Sequence, residues 1–167
     1  YHLTIAKRDP EVDAVAVGSQ TVLVDDPVLT AREIYRERPL TRVVFDRRLR
    51  TPSNARVFST LSAGPVIILT SRDVLSEKPT ERAALERAGA TIVAPEESGM
   101  RAAMRALSAF DVQSILVEGG ASVHAAAWDE GVVDYVQLFV APAALGPAGV
   151  RLFEGHHLAL SSLIEPK

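Results

Sequence analysis

The chain has 167 residues, of which 47% are apolar and 23% are charged. This length suits one domain with a substantial core, and the composition is that of a globular protein rather than a disordered one. A net charge of −3 gives no reason to expect a nucleic-acid partner, and no apolar stretch is long enough to span a membrane. The lack of cysteine excludes disulfides and thiolate metal sites and is compatible with a cytoplasmic location.

Short apolar runs alternate with helical segments along the chain. The runs predict buried strands, because they are nearly continuous in Val, Ile and Leu and end at Gly or polar residues. The predicted strands span 13–17, 42–46, 65–70, 91–93, 114–117 and 133–140. The predicted helices span 77–88, 100–109 and 122–130, and the predicted exposed loop spans 31–41. This alternation predicts one α/β domain with a largely parallel sheet and helices on both faces.

Two glycines follow the predicted strand 114–117 and precede a helix. At such a turn, Gly119 and Gly120 allow another molecule to approach the backbone closely, and the helix start favours a phosphate. Ser122 can cap this helix or bond the ligand. The competing interpretation is a tight turn with structural glycines. Glu118 lies where open α/β sheets bind ligands, and we expect it to face hydroxyls or an amine, since it would repel phosphate. Its alternative role is a carboxylate bonded to backbone N–H groups.

A second polar segment follows the predicted strand 13–17 and should therefore lie at the same edge of the sheet. Thr21 and Asp25 are four residues apart, so a helical turn would put both side chains on one face. Asp26 precedes a proline, which is ordinary turn chemistry. Arg32 lies beyond this turn and could bind a substrate phosphate, although spacing alone favours a solvated arginine.

Three arginines, Arg47, Arg48 and Arg50, follow the predicted strand 42–46. Such a cluster could hold an extra phosphate, such as the 2′-phosphate that distinguishes NADP from NAD, or it could be a solvated basic loop. Arg72, after the next strand, has the same two interpretations. The four histidines show no metal-binding spacing, so the sequence predicts no metal site.

Together these segments resemble the reductase domain of bacterial riboflavin biosynthesis, the RibD C-terminal domain, which has a dihydrofolate-reductase-like fold. The matching segments occur in family order across about residues 12 to 155. They are Val12-Asp-Ala-Val-Ala-Val-Gly18, Thr21-Val-Leu-Val-Asp-Asp-Pro-Val-Leu-Thr30 with Arg32, Arg42-Val-Val-Phe-Asp46 with Leu49-Arg-Thr-Pro52, Leu116-Val-Glu-Gly-Gly120, and Val133-Asp-Tyr135 through Ala141-Pro142 to Leu145-Gly146. We therefore expect residues 1–167 to form a single domain of this kind.

The resemblance implies an NADPH-dependent oxidoreductase that acts on 5-amino-6-(5-phosphoribosylamino)uracil and reduces its ribosyl group to ribityl by hydride transfer to C1′. The cofactor contacts that it implies are Thr21, Asp25, Arg47, Gly119, Gly120, Ala121, Ser122 and Val123. The substrate contacts that it implies are Leu29, Arg32 and Glu118. Arg47 stands where the family usually has a serine. The general acid stays open between Asp25 and a bound water, and the family resemblance suggests a homodimer.

The chain departs from the family's pattern at both ends. The strand with a Ser-Leu-Asp-Gly motif that normally opens the domain does not precede Tyr1, and further strand normally follows the region that ends near Gly155. We therefore expect most of the domain rather than all of it. The zinc deaminase half of the bifunctional protein requires cysteines that this chain lacks. The alternative functions are a related diaminopyrimidinone-ribosylamine or pterin/folate reductase, and a non-catalytic nucleotide-binding module.

Overall fold

A computed structural model describes residues 12–31, 36–137 and 149 of the chain. Its centre is a five-stranded sheet in which all neighbouring strands are parallel. The strands are β1 (Ala14–Gly18), β2 (Thr41–Phe45), β3 (Val66–Leu69), β4 (Ala90–Val93) and β5 (Ile115–Gly119). The helices are α1 (Ser19–Asp25), α2 (Arg72–Glu77), α3 (Pro79–Arg87), α4 (Met100–Ser108) and α5 (Ala121–Asp129), with a 3-10 helix over Arg56–Ala63.

Apolar side chains cover both faces of the sheet, which explains why the central strands read as continuous apolar runs. On one face the core includes Val15, Val17, Val44 and Ile68, together with Val22 of α1 and Leu85 of α3. On the other face the core includes Ala14, Ala16, Val43 and Ile67, together with Ala103 and Leu107 of α4. Alternate residues of each strand point to opposite faces, as the pleat requires. The prediction of a parallel sheet with helices on both faces is confirmed.

The strand order places β1 at a reversal of the chain. The order across the sheet is β4-β3-β2-β1-β5, so the chain moves outward from β1 to β4 and then returns to the opposite side of β1. The helices that follow β1 and β5 lie on opposite faces of the sheet. Helix α1 packs through Val22 on the face that includes Val15 and Val17, whereas α5 contacts α4 on the other face. In open α/β sheets, ligands bind in the crevice at such a reversal, outside the carboxyl ends of the strands. The crevice between β1 and β5 is therefore the expected ligand site.

One predicted helix is divided in the structure. The prediction of a single helix over 77–88 is wrong at its start, because α2 ends at Glu77 and α3 begins at Pro79. Lys78 between them has non-helical angles, with φ −125° and ψ 57°. A proline lacks an N–H and disfavours the helical conformation in the residue before it, so it begins a helix more readily than it continues one. Gly89, with φ +97°, follows the end of α3 as expected.

The predicted strand over 133–140 is wrong in its described part. Residues 133–137 form no strand, and residues 138–140 lie outside the described part of the chain. Val133 is 36% exposed and Tyr135 is 66% exposed. Apolar residues alone do not form a strand, since a strand also needs a hydrogen-bonded neighbour, and the described residues provide none here.

None of the described helices is long and apolar enough to cross a membrane.

Candidate functional site

Three glycines bring the carboxyl ends of β1 and β5 close together. Gly120 has φ +104°, a conformation that side chains disfavour, and a Cβ added to it would lie 3.3 Å from the Cα of Gly18. A Cβ added to Gly119 would lie 3.0 Å from the hydroxyl oxygen of Thr21. Close backbone packing therefore explains these glycines in part, as the structural interpretation of the turn predicts. The same packing sets the β5–α5 turn against the start of α1.

Helix α5 begins directly after these glycines. Gly120 is its N-cap residue, and the Gly120 carbonyl oxygen accepts hydrogen bonds from the N–H groups of Val123 at 2.9 Å and His124 at 3.0 Å. The first turn of a helix carries a partial positive charge and favours an anion. The predicted cofactor contacts that lie together at this turn are Gly119, Gly120, Ala121, Ser122 and Val123. The structure thus puts five predicted contacts in one place at the reversal of the sheet.

Glu118 is the extra residue of a β-bulge. Ala16 of β1 pairs with Val117, but the next residue, Val17, pairs with Gly119 and leaves Glu118 unpaired in the ladder. Bulges redirect a side chain and often occur beside functional sites. The sequence alone did not indicate this bulge, because it is a property of the pairing between two strands.

The Glu118 carboxyl is held in a poorly solvated position. Its Oε2 atom is buried and has no hydrogen-bond partner in the described part of the chain. Burial disfavours the charged form and raises the pKa of the Glu118 carboxyl to about 7. The alternative role, a carboxylate bonded to neighbouring backbone N–H groups, does not account for Oε2. A carboxyl with this pKa exchanges a proton near neutral pH.

Helix α1 carries the second group of predicted contacts. Thr21 and Asp25 both belong to this helix and share one face, as their spacing predicts. Thr21 lies against Gly119, whereas Asp25 is exposed in the last turn of α1. The Oδ1 atom of Asp26 accepts a hydrogen bond from the N–H of Arg56 at 2.8 Å, which supports the turn interpretation of Asp26.

The structure describes one of the two other predicted substrate contacts. Leu29 is only 6% exposed, has φ +56°, and packs in the core on the α1 face of the sheet. A leucine in the left-handed region is strained, and such strain is concentrated at functional sites. Arg32 lies outside the described residues. The substrate contacts therefore stay predictions.

The predicted arginine cluster lies at the carboxyl end of β2, on the same edge of the sheet as the β5–α5 turn. Arg47 is exposed there. Arg50 donates hydrogen bonds to Ser19 and Gln20 at the start of α1, a contact that the sequence did not indicate. Arg72 forms an ion pair with Glu96 at 3.0 Å, which favours the interpretation of Arg72 as a solvated residue.

Away from the crevice, the described part of the chain has no metal-binding cluster but has two cavities. Across residues 12–31 and 36–137, no group of three or more His, Asp or Glu residues could hold a metal ion. Two cavities, of about 260 and 610 Å³, lie near the loop that precedes β2, and the larger extends along the amino ends of the strands. Arg36 and Pro39 line both cavities, and neither cavity includes a predicted site residue.

Known proteins resemble this chain over most of its length. The RibD C-terminal domain model matches residues 4–163. The riboflavin biosynthesis protein RibD of Chlamydia muridarum is 31% identical over 166 residues, which make up 96% of this chain and 43% of that protein. A 2,5-diamino-6-ribosylamino-4(3H)-pyrimidinone 5′-phosphate reductase of Methanothermobacter thermautotrophicus is 29% identical over 144 residues, or 84% of this chain and 64% of that protein. The chain thus spans less than half the length of the RibD proteins that it matches.

Solved structures share the fold. RibD of Acinetobacter baumannii superposes with a TM-score of 0.68 at 23% identity, covering 92% of this chain and 42% of that one. A pyrimidine reductase-like protein of Corynebacterium diphtheriae gives a TM-score of 0.67 at 20% identity, covering 93% of this chain and 67% of that one. The predicted fold class and the family resemblance are confirmed. The chain belongs to the RibD C-terminal domain family.

Proposed function

We propose that this chain carries an NADPH-dependent reductase of riboflavin biosynthesis that converts the ribosyl group of 5-amino-6-(5-phosphoribosylamino)uracil to ribityl. The observation that carries the proposal is the half-buried Glu118 carboxyl, whose Oε2 atom is enclosed without a described hydrogen-bond partner beside the Gly119–Gly120 turn at the reversal of the sheet. One crevice thus combines a helix start that suits a pyrophosphate with a carboxyl that can exchange a proton. A dinucleotide-dependent reduction of an imine can use both features, the first to bind the cofactor and the second to supply a proton.

The cofactor side of the crevice consists of the β5–α5 turn and α1. We propose that the first turn of α5 binds the pyrophosphate of NADPH, with Thr21 beside it against Gly119. Asp25, one turn further along α1, is a cofactor contact by resemblance and is exposed as that role requires. When bound, NADPH supplies the hydride that adds to C1′ of the substrate. The protein's contribution is to hold the partners together and to exclude alternative orientations.

Glu118 is the proton-exchanging group in this proposal. When the ribosylamine ring opens, C1′ forms an imine with the amino nitrogen, and reduction then adds hydride to C1′ and a proton to that nitrogen. Because its pKa is near 7, the protonated Glu118 carboxyl is available to donate this proton at neutral pH. A carboxyl also suits the hydroxyl and amine groups of the substrate better than its phosphate, for which Arg32 is the proposed partner.

A second candidate reaction uses the diaminopyrimidinone with the same ribosylamine side chain. The Methanothermobacter relative, which is named for that substrate, favours it. The two substrates differ in the pyrimidine ring, so the role of Glu118 toward C1′ and its nitrogen is the same in both.

Because the chain resembles this family, we also propose that the protein is a homodimer located in the cytoplasm.

The test uses the purified full-length protein that contains this chain. We expect NADPH oxidation with 5-amino-6-(5-phosphoribosylamino)uracil, and the substitution Glu118→Gln should lower kcat about a hundredfold, since it removes the exchangeable proton. Glu96→Gln is the matched control, because Glu96 is exposed and, among the described residues, pairs with Arg72 far from the crevice's carboxyl, and it should leave turnover unchanged. An absence of NADPH oxidation with either pyrimidine would contradict the proposed function.

A further inference from the structure

The chain that follows α1 packs against the 3-10 helix. Residues 26–31 are the described part of the α1–β2 loop, and they include Leu29, a predicted substrate contact. Leu29 belongs to the same buried cluster as Val57 of the 3-10 helix, and Ala31 packs against that cluster. Whatever fixes these few residues therefore also fixes the position of the predicted substrate contact.

Two residues of this loop have a backbone conformation that side chains disfavour. Asp26, the C-cap residue of α1, has φ 41° and ψ 56°, and Leu29 has φ 56°. An aspartate enters this left-handed region more readily than a leucine, because its short polar side chain can bond nearby groups. Backbone strain of this kind persists only where the surrounding contacts hold it. The loop therefore needs a contact that keeps it in this conformation.

The side chain of Asp26 supplies such a contact. Its Oδ1 atom accepts a hydrogen bond from the N–H of Arg56 at 2.8 Å, and Arg56 is the first residue of the 3-10 helix. The first N–H groups of a helix have no acceptor within the helix, so a carboxylate oxygen there satisfies one of them. The N–H of Asp26 in turn donates to the carbonyl oxygen of Val22 in α1 at 3.1 Å. One residue thus joins the end of α1 to the start of the 3-10 helix.

The 3-10 helix is a firm support for this contact. The guanidinium of the fully buried Arg42 in β2 donates to the carbonyl oxygen of Val57 at 2.7 Å and to the Thr60 hydroxyl at 2.9 Å. Val57 is itself fully buried. Ala31 and residues 62–63 at the end of the 3-10 helix line a cavity of about 260 Å³. The loop and the helix therefore meet at the carboxylate and in the apolar core, not along their whole length.

We propose that Asp26 is a positioning residue: it anchors the α1–β2 loop to the 3-10 helix and so presents Leu29, and the chain that continues to Arg32, to the substrate. This inference rests on the proposed function and identifies a residue that prepares its substrate side. Asp26 and Asp25 are neighbours with separate roles, because Asp25 is exposed at the end of α1 on the proposed cofactor side. Loss of the anchor should therefore weaken binding of the pyrimidine and spare NADPH.

The expected effect follows from the population of the anchored loop. A protein whose binding-competent conformation is only partly populated binds its ligand more weakly in proportion to that fraction. Bound substrate restores the conformation, so turnover at saturating substrate is kept while KM rises. A residue that only stabilised the fold would not separate the two substrates in this way.

Substitutions of Asp26 in the full-length protein test the acceptor. With 5-amino-6-(5-phosphoribosylamino)uracil and NADPH, Asp26→Ala should raise KM for the pyrimidine about threefold to tenfold, the range for one lost hydrogen bond, with kcat and KM for NADPH nearly unchanged. Asp26→Asn is the conservative variant and should restore a KM near that of the wild type, because asparagine keeps an acceptor oxygen and also tolerates the left-handed conformation. An unchanged pyrimidine KM in Asp26→Ala, or an equal rise in both KM values, would overturn the proposal.

Substitutions of Arg56 test the donor from the other side of the contact. Arg56→Pro removes the N–H but suits the first position of a helix, and Ala55 already has angles that can precede proline, with φ −59° and ψ 144°. It should raise the pyrimidine KM as Asp26→Ala does, and the double variant should be no worse than either single variant. Arg56→Ala is the matched control, because it keeps the N–H and removes an exposed side chain. A double variant in which the two effects multiply would show that the two groups act separately and contradict the proposal.

Amide hydrogen exchange measures the loop without substrate. Asp26→Ala and Arg56→Pro should speed exchange in residues 28–31, whereas Asp26→Asn and Arg56→Ala should not. If the wild-type enzyme reduces the pyrimidine and neither KM nor exchange responds to these variants, the Asp26 inference fails alone. If the wild-type protein oxidises NADPH with neither pyrimidine, the proposed function fails, and the exchange result still decides whether Asp26 anchors the loop.

Discussion

Two carboxyl groups at the carboxyl edge of the sheet have different surroundings. The Oδ2 atom of Asp46 accepts two hydrogen bonds from Thr51 and holds a loop in place. The Oε2 atom of Glu118 is buried without a hydrogen-bond partner in the part of the chain that the structure describes, and so is the second carboxyl oxygen of Asp46, Oδ1. A buried polar atom without a partner costs about 1–3 kcal/mol, so it is retained only where something else requires it. We attribute the cost at Glu118 to proton exchange with substrate.

This assignment predicts a specific pH dependence of stability. The folded-state pKa of Glu118, about 7, is above its ordinary value of 4.5, so the folded protein binds more protons than the unfolded protein between those two pH values. The contribution of Glu118 to the free energy of unfolding therefore falls as pH rises from about 4.5 to about 7. Glu118→Gln removes that contribution and should make stability less dependent on pH, as measured by urea unfolding at about pH 5 and about pH 8. Glu96→Gln should behave like the wild type, and the same pH dependence in Glu118→Gln would contradict the assignment.

At the scale of elements, the site depends on how the β5–α5 turn packs against α1. Gly119 faces the side chain of Thr21, and Gly120 faces Gly18. The bulge at Glu118 shifts the register of β5 at this point, so that Gly119 rather than Glu118 pairs with Val17. Two glycines and a bulge thus allow the turn to approach α1 closely while the carboxyl is redirected.

A double-mutant cycle tests this packing. In Gly119→Ala, the new Cβ would lie 3.0 Å from the Oγ1 of Thr21 and 3.2 Å from its Cγ2, contacts so tight that the Thr21 side chain or its surroundings must move slightly. We expect a loss of about 1–3 kcal/mol in the free energy of unfolding and weaker binding of NADPH. Thr21→Ala removes both of those atoms and should restore much of the stability of Gly119→Ala in the double variant. Additive losses in stability would show that the two residues do not interact in this way.

Arg42 illustrates a different kind of contact between elements. This fully buried arginine of β2 donates hydrogen bonds to the carbonyl oxygens of Val57, at 2.7 Å, and Gly64, and to the Thr60 hydroxyl at 2.9 Å. Burial lowers the pKa of its guanidinium. Its acceptors are the 3-10 helix and the residue that follows it, so Arg42 joins that helix to the sheet. The predicted strand 42–46 gave no sign of this role.

At the scale of the whole molecule, the sequence predicted the elements whose patterns are local. The apolar run 42–46 and β2 (Thr41–Phe45) differ by one residue, and so do the predicted helix 122–130 and α5 (Ala121–Asp129). Buried parallel strands need apolar residues on both faces, so their composition identifies them. Helix α1 was not predicted as a complete element, because its Thr and Val residues are weak helix formers and it has no side-chain cap.

The part of the candidate site that lies in the turn between β5 and α5 could be predicted from the sequence. Glu118, Gly119 and Gly120 were identified because a glycine pair between a strand and a helix indicates a close approach to the backbone. The bulge at Glu118 and the contact between Arg50 and Ser19 were not predictable, since each depends on two segments that are distant in sequence. For residues 133–137 the error is the reverse: the apolar pattern predicted a strand, but the described residues form none there.

The pH dependence of turnover tests the role of Glu118 most directly. With NADPH and 5-amino-6-(5-phosphoribosylamino)uracil, the wild-type protein should lose kcat as pH rises through about 7, because the protonated Glu118 carboxyl is then depleted. Glu118→Gln should have a low kcat that does not change across the same range, while Glu96→Gln should reproduce the wild-type profile. A Glu118→Gln variant that retains both the rate and the pH profile of the wild type would contradict the account.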